Sequence, residues 1–249
     1  MIWHLIESGF NTGKFNMDFD LQLAKDITPD NAYFRLYRWQ PYCISLGANQ
    51  NFSDIEIEHA REKNIEVVKR PTGGRAILHA EEITYSVVLP YSRETSAKEI
   101  YKSISLALID GLELYNPLLR YSELENIQPN FPKLLQSTSG VLCFGSTAKN
   151  EVKFNGKKII GSAQRKLNNA ILQHGSILCG TFHKRLVDFL NTDEITKQKL
   201  ANEISEKTIE IESILNQPVN YEKLSECLIK GFENARQIKF ERDEAIIQS

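Results

Sequence analysis

Residues 67–79 read VVKRPTGGRAILH, an order suited to holding an anion or a developing negative charge. Two β-branched residues bring an extended segment to Arg70, Pro71 fixes a backbone angle and removes a donor, and Gly73 and Gly74 open a turn free of obstructing side chains. Successive free amides in such a turn, flanked by Arg70 and Arg75, make a concavity for a carboxylate, a phosphate or an oxyanion. His79 follows one short strand later, where it can orient the site or relay a proton. The same residues also fit a plain hairpin with two surface arginines.

A second group lies in residues 141–178, VLCFGSTAKNEVKFNGKKIIGSAQRKLNNAILQHGSIL. Asn155-Gly156 between two alternating runs is a strong hairpin signal, because both central residues must take positive φ. A two-residue hairpin sets Phe154 opposite Lys157, Lys153 opposite Lys158 and Val152 opposite Ile159, with Lys158 on the face of Glu151, Ile160 and Ser162. Facing Lys153 and Lys158 repel each other, and a bulge would shift the pairing. Gly161-Ser162-Ala163 then permits close approach of an extended ligand or another backbone, and Gln173-His174-Gly175 interrupts the next apolar run. Taken singly, Cys143 reads as a buried thiol, Lys158 as a solvated hairpin lysine, and His174 as a structural hydrogen-bonder.

The elements that must position these residues follow from hydrophobic spacing. Strands are expected over 2–6, 32–39, 42–46, 65–70, 84–89, 157–160 and 170–178, with a turn-rich loop over 8–13. Helices are expected from Phe15 to Thr28, over 55–64 behind a Ser53-Asp54 cap, and over 97–114, the main packing helix. Further helices fall at 183–190, 193–205, 210–215 and 221–235, before a short strand at 237–240. Residues 121–139 contain Pro129 and Pro132, show no clean period, and read as a long surface loop.

With 249 residues, 41% hydrophobic and 25% charged, the chain is long enough for a large core and reads as one unit over 1–249. A net charge of −2 argues against general nucleic-acid binding. The four cysteines, Cys43, Cys143, Cys179 and Cys227, form no metal or disulfide pattern, which points to a reducing compartment. Neither a basic leader nor a long apolar run is present, so a cytoplasmic protein without a membrane anchor is expected.

Five motifs in order, IESG with FNMDFDLQL, RPTGGRAILH with ITYSVV, the cysteine of VLCF, GKKIIGSAQ, and LQHGSIL, resemble the lipoate and octanoate transfer family across nearly the whole chain. KGFENARQIKF resembles the family's end. The resemblance implies the biotin/lipoate protein ligase fold, related to class II aminoacyl-tRNA synthetases: an α/β (α+β) architecture with a mixed, largely antiparallel sheet flanked by helices. Lipoate ligases of this family usually show three glycines and an added C-terminal domain. Thr72-Gly73-Gly74-Arg75 together with Cys143 is instead similar to the ligase-like octanoyltransferases. One departure concerns residues 145–150, GSTAKN, where the family often has Pro-Ser and an aromatic before the glutamate at 151.

What this resemblance implies is transfer of an octanoyl group from octanoyl-acyl carrier protein to a lysine of a lipoyl domain. The acceptors would be the glycine cleavage H protein or 2-oxoacid dehydrogenase subunits, with no cofactor, nucleic acid or membrane involved, and the enzyme a monomer. Cys143 would be the nucleophile and Lys158 the cation that favours its thiolate and polarises the acyl carbonyl. Substrate contacts are implied for Arg70, Thr72, Gly73, Gly74, Arg75, Ala76, His79, Gly161, Ser162, Ala163, His174 and Gly175. Ile77 and Ile160 would add apolar wall. Three rivals stand beside it: an ATP- and magnesium-dependent lipoate ligase, an amidotransferase between lipoyl domains, and a non-catalytic lipoyl-domain binder.

Overall fold

A parallel pair of strands begins the fold. β1 (Ile2–Asn11) and β2 (Asn31–Trp39) are joined by helix α1 (Gly13–Asp26), whose first turn is capped by the Thr12 side chain accepting from the Phe15 amide. The computed structural model describes residues 1–91, 96–125 and 150–242. β1 runs further than its sequence suggests, because Gly9 takes φ +65° and the extra residue is absorbed as a bulge between Glu7 and Gly9.

After β2 the chain forms a small sheet, β3 (Cys43–Leu46), the six-residue helix α2 (Ile57–Glu62), β4 (Glu66–Lys69) and β5 (Ile77–His79). Its order is β4-β3-β5, parallel between β3 and β4 and antiparallel between β3 and β5. The main sheet continues with β6 (Glu82–Pro90), helix α3 (Ala97–Tyr115), the edge strand β7 (Ser122–Leu124), β8 (Val152–Phe154), β9 (Lys157–Leu167) and β10 (Ala170–Leu178). Helices α4 (Glu194–Lys207), α5 (Ile211–Leu215) and α6 (Tyr221–Arg236) follow, and β11 (Phe240–Arg242) lies parallel to β1. The eight-stranded order is β11-β1-β2-β6-β10-β9-β8-β7, with every pairing beyond β2 antiparallel. The expected mixed, largely antiparallel sheet with flanking helices is the one observed.

Some expectations change. The stretch expected as helix at 183–190 is a 3₁₀ helix, Phe182–Phe189, and the final strand begins at Phe240 rather than 237. The loop expected from 121 opens instead as the end of a 3₁₀ turn, Pro117–Tyr121, followed by β7; its remainder lies outside the described residues. Between β8 and β9 a bulge moves Val152 from Ile159 to Ile160, while Lys153 stays opposite Lys158. Two glutamates relieve that like-charge pair: Glu125 meets Lys153 and Glu151 meets Lys158.

Strand alternation gives the main sheet two working faces. Ile83, Tyr85 and Val87 of β6 enter the large core with Ile104, Leu108 and Leu112 of α3 and Leu228 and Phe232 of α6. Thr84, Ser86 and Val88 point the other way, where Val88, Leu172 and Ile6 pack on Leu23 and Ala24 of α1. A further core under the small sheet joins Ile44, Leu46 and Leu78 to Leu186, Phe189 and Ile204. Among the described residues no helix is long and apolar enough to cross a membrane.

The α3–α6 contact is made backbone to backbone. A Cβ on Gly231 would stand 2.2 Å from the Gly111 nitrogen and 2.5 Å from its Cα, so the helices would have to part. Gly231→Ala should destabilise the protein by about 2–3 kcal/mol, the cost of overpacking against backbone. Urea unfolding followed by circular dichroism checks this; an unchanged midpoint would contradict the packing.

Candidate active site

β4 delivers Arg70 to the start of the glycine turn, and the guanidinium turns inward rather than to solvent. It donates to the Ser45 carbonyl at 2.8 Å, the Ser45 hydroxyl at 3.1 Å, the Arg75 carbonyl at 2.6 Å and the Gly73 carbonyl at 3.0 Å. By bridging carbonyls of β3 and of the turn, Arg70 fixes the course of the loop. Gly74 occupies the positive-φ region at +94°. Two polar contacts then tie the loop to the main sheet: the Thr72 hydroxyl lies 2.6 Å from His174 Nε2, and Arg165 donates to the Pro71 carbonyl at 2.5 Å.

Under this loop is a narrow cavity of about 30 Å³, which a ligand larger than a water molecule or two must widen. Met17, Tyr37, Trp39 and Ile77 supply its apolar surface, and Gly161, Ser162, Ala163 and Gly175 bring backbone to the wall. Arg70, His79, His174, Ser45, Thr84 and Ser176 supply its polar groups. Gly175 owes its place to β9: a Cβ there would meet the Gly161 carbonyl at 2.4 Å.

Two imidazoles sit in this wall, each held between a carboxylate and a hydroxyl. His79 Nδ1 is 2.8 Å from Glu82 Oε1 and its Nε2 is 2.7 Å from the Ser45 hydroxyl. Ionised Glu82 can only accept, so Nδ1 carries the hydrogen. Thr84 and Ser176 also donate to Glu82, at 2.5 and 2.8 Å, Trp39 donates its indole N–H to Thr84, and its ring stacks on His79 at 4.1 Å. Burial pushes the Glu82 carboxyl up, but facing His79 and the hydrogen bonds from His79, Thr84 and Ser176 outweigh it, leaving the group below the ordinary glutamate range.

His174 faces Thr72 at Nε2 and Asp20 at Nδ1, the latter at 3.5 Å. Burial, aided by Arg70 and His79, pushes its pKa below the ordinary value against the pull of Asp20, so the ring is neutral at neutral pH. Asp20 itself is fully buried beside Arg35 at 2.9 Å and accepts from Ser86 at 2.8 Å. Burial raises that carboxyl, and the Arg35 charge together with His174 and Ser86 lowers it further than burial lifts it.

Lys158 is buried behind the cavity-lining stretch of β9 and is linked to it through Glu151. Its Nζ is 3.1 Å from Glu151 Oε2, while Glu151 Oε1 accepts from the Ser162 amide at 3.4 Å. The Ser162 hydroxyl is 2.6 Å from that of Tyr85, which takes a hydrogen bond from Gln173 at 3.0 Å and whose own pKa burial lifts to about 12.

Of the residues singled out in the sequence, Arg70, His79, Gly161, Ser162, Ala163, His174 and Gly175 line the cavity, and Thr72 touches it through His174. Gly73 and Gly74 form the exposed outer course of the loop, Arg75 is buried without lining the cavity, and Ala76 is buried in the core of the small sheet. Ile77 is cavity wall as expected, whereas Ile160 belongs to the large core on the opposite face, because it alternates with Gly161. Cys143 lies outside the described residues. Met17, Asp20, Arg35, Trp39, Ser45, Glu82 and Ser176 escaped the sequence reading; the available signal was charge inside apolar runs, Arg35 in AYFRLYRW and Glu82 three residues after His79.

The sheet order, the small sheet and this cavity together describe the lipoate ligase fold. The bi-partite lipoate protein ligase of Thermoplasma acidophilum superposes with a TM-score of 0.77 at 19% identity, covering 100% of this chain and 89% of that one. A lipoate-protein ligase A bound with ATP gives 0.74 at 18% identity, covering 100% and 92%. Residues 12–233 match the lipoyl protein ligase A/B catalytic domain, and the chain belongs to that family. Similar curated relatives include the octanoyltransferases LipM of Bacillus subtilis, 31% identical over 249 residues with 96% of this chain and 88% of that protein covered, and of an Exiguobacterium strain, 33% identical over 244 residues with 96% and 88% covered.

The depressed carboxyls make stability depend on acid. Asp20 and Glu82 ionise more readily folded than unfolded, so their contribution is complete above the unfolded values of about 3.9 and 4.3 and is lost as pH falls through the lower folded values. Asp20→Asn should cost about 3–5 kcal/mol at pH 7 by leaving Arg35 uncompensated, and should flatten the fall below about pH 4. Urea melts of both proteins from pH 7 to pH 3 check this; parallel curves would contradict it.

Proposed function

We propose that this chain is an octanoyltransferase of protein lipoylation, moving an octanoyl group from octanoyl-acyl carrier protein to a lipoyl-domain lysine through a thioester on Cys143. The observation that carries the reading is the cavity: apolar walls from Met17, Trp39 and Ile77, small residues where a chain must pass, and a polar end, in a chain whose similar relatives bear the name octanoyltransferase. Burying the roughly seven tail carbons of octanoyl at about 0.8 kcal/mol each supplies about 5–6 kcal/mol of binding.

In the first step the Cys143 thiolate attacks the carrier thioester, the carrier C–S bond breaks, and the carrier leaves as a thiolate that takes a proton from solvent. In the second the lysine amine attacks the acyl-enzyme, the Cys143 C–S bond breaks, Cys143 departs as thiolate, and the amine gives up a proton to solvent. Thioester replaces thioester, so the acyl group keeps its reactivity and neither ATP nor a metal enters. Lys158 supplies the positive field, and backbone amides beside Gly161 and Ser162 complete the stabilisation of the oxyanion. The other three cysteines fit less well as nucleophiles, because burial pushes the thiols of Cys43, Cys179 and Cys227 upward. The chain acts as one catalytic domain in the cytoplasm, as a monomer, on lipoyl domains of the glycine cleavage H protein and 2-oxoacid dehydrogenases.

One observation favours a second reading: the fold neighbours are lipoate ligases, one of them bound with ATP. A single experiment separates the two. Octanoyl-acyl carrier protein mixed with the enzyme without ATP should leave an octanoyl adduct on Cys143 by mass spectrometry, and Cys143→Ala should reduce transfer by on the order of 10³-fold or more. Lipoate- and ATP-dependent modification of a lipoyl domain without that adduct would favour the ligase.

A further inference from the structure

β9 outruns its neighbour. β8 begins at Val152, opposite Ile160, so beyond Ile160 that edge of β9 has no described strand beside it. Ser162 turns both backbone groups to this edge: its carbonyl accepts from the Tyr101 hydroxyl at 3.2 Å, and its amide donates to Glu151 Oε1 at 3.4 Å. Lys158 reaches the other oxygen of the same carboxylate at 3.1 Å, and Glu151 and Lys158 are 3% and 1% exposed. Ser162 also lines the cavity. One buried carboxylate thus takes an ammonium and the backbone amide of a cavity-lining residue.

An ammonium and an amide converging on one pair of anionic oxygens is also what a developing acyl oxyanion, or a fatty-acid carboxylate, requires. We propose that Glu151 is an internal occupant of an acyl-oxygen site made by Lys158 and the Ser162 amide, and that an anionic acyl ligand displaces it. The inference rests on the reading that the cavity takes an octanoyl chain. Glu151 acts through Lys158 as a positioning residue: without an incoming anion, the buried ammonium keeps a partner and a fixed direction. An incoming carboxylate leaves the ammonium and the amide with an anionic partner, whereas a neutral ligand of the same length cannot replace Glu151. The site therefore favours medium-chain carboxylates over their amides, and Glu151 weakens their binding by competing for the same donors.

Isothermal titration of the full chain with sodium octanoate and with octanamide tests this. Glu151→Gln, which keeps the shape and removes the charge, should bind octanoate at least tenfold more tightly than the natural chain while its binding of octanamide stays unchanged. Lys158→Met should abolish the gain, so that the double variant binds no better than Lys158→Met alone. Glu151→Asp retains the charge but withdraws it by one methylene, and should tighten octanoate binding several-fold, giving a second reading if the glutamine variant does not fold. Equal or weaker octanoate binding by the folded Glu151 variants overturns the proposal, as does absence of octanoate binding to every variant. The assay needs neither carrier nor transfer. Tightening without any Cys143 adduct would keep this inference and sink the transferase reading; an adduct without tightening would do the reverse.

Discussion

Five hydrogen bonds from one buried guanidinium hold the site together. Arg70 grips carbonyls at Ser45, Gly73 and Arg75, and so locks the glycine turn to the middle strand of the small sheet. The turn in turn carries Thr72 onto His174 and Pro71 onto Arg165, both on the β9–β10 pair of the main sheet. These side-chain contacts join the two sheets along a rim, with the cavity beneath it. A lysine in place of Arg70 has one nitrogen for the work of three and could not hold the same course.

Behind the rim, charge is buried only in company. Glu82 lies against His79, Asp20 against Arg35 and His174, and Glu151 against Lys158. Glu82 and Asp20 hold His79 and His174 in the cavity wall without leaving bare charge in it. The cost is sensitivity to acid and to the loss of any single partner.

Much of this was legible in sequence. Asn155-Gly156 announced the hairpin, although its bulge displaces Val152 and leaves Lys153 opposite Lys158; RPTGGR and the Gly161-Ser162-Ala163 run marked two walls of the cavity. The third wall was hidden because no local pattern places it. Met17 arrives on a helix, Trp39 and Ser45 on strands of different sheets, and Ser176 from residues far along the chain, joined only when β1 and β2 pair in parallel around α1. Asp20 has no local sequence signal, because its burial depends on Arg35, 15 positions away. Arg70 was read as an anion ligand, whereas much of its hydrogen bonding goes to its own loop.

The central claim is the location of the acyl chain. A crystal structure of the protein with octanoate bound is the direct measurement. The account predicts the tail running past Gly161 and Ala163, in van der Waals contact with Met17, Trp39 and Ile77, with its carboxylate toward Lys158 and the Ser162 amide. Octanoate lying instead in the open groove beside Phe15 and Phe19 of α1, with the cavity under the glycine turn left empty, would contradict it.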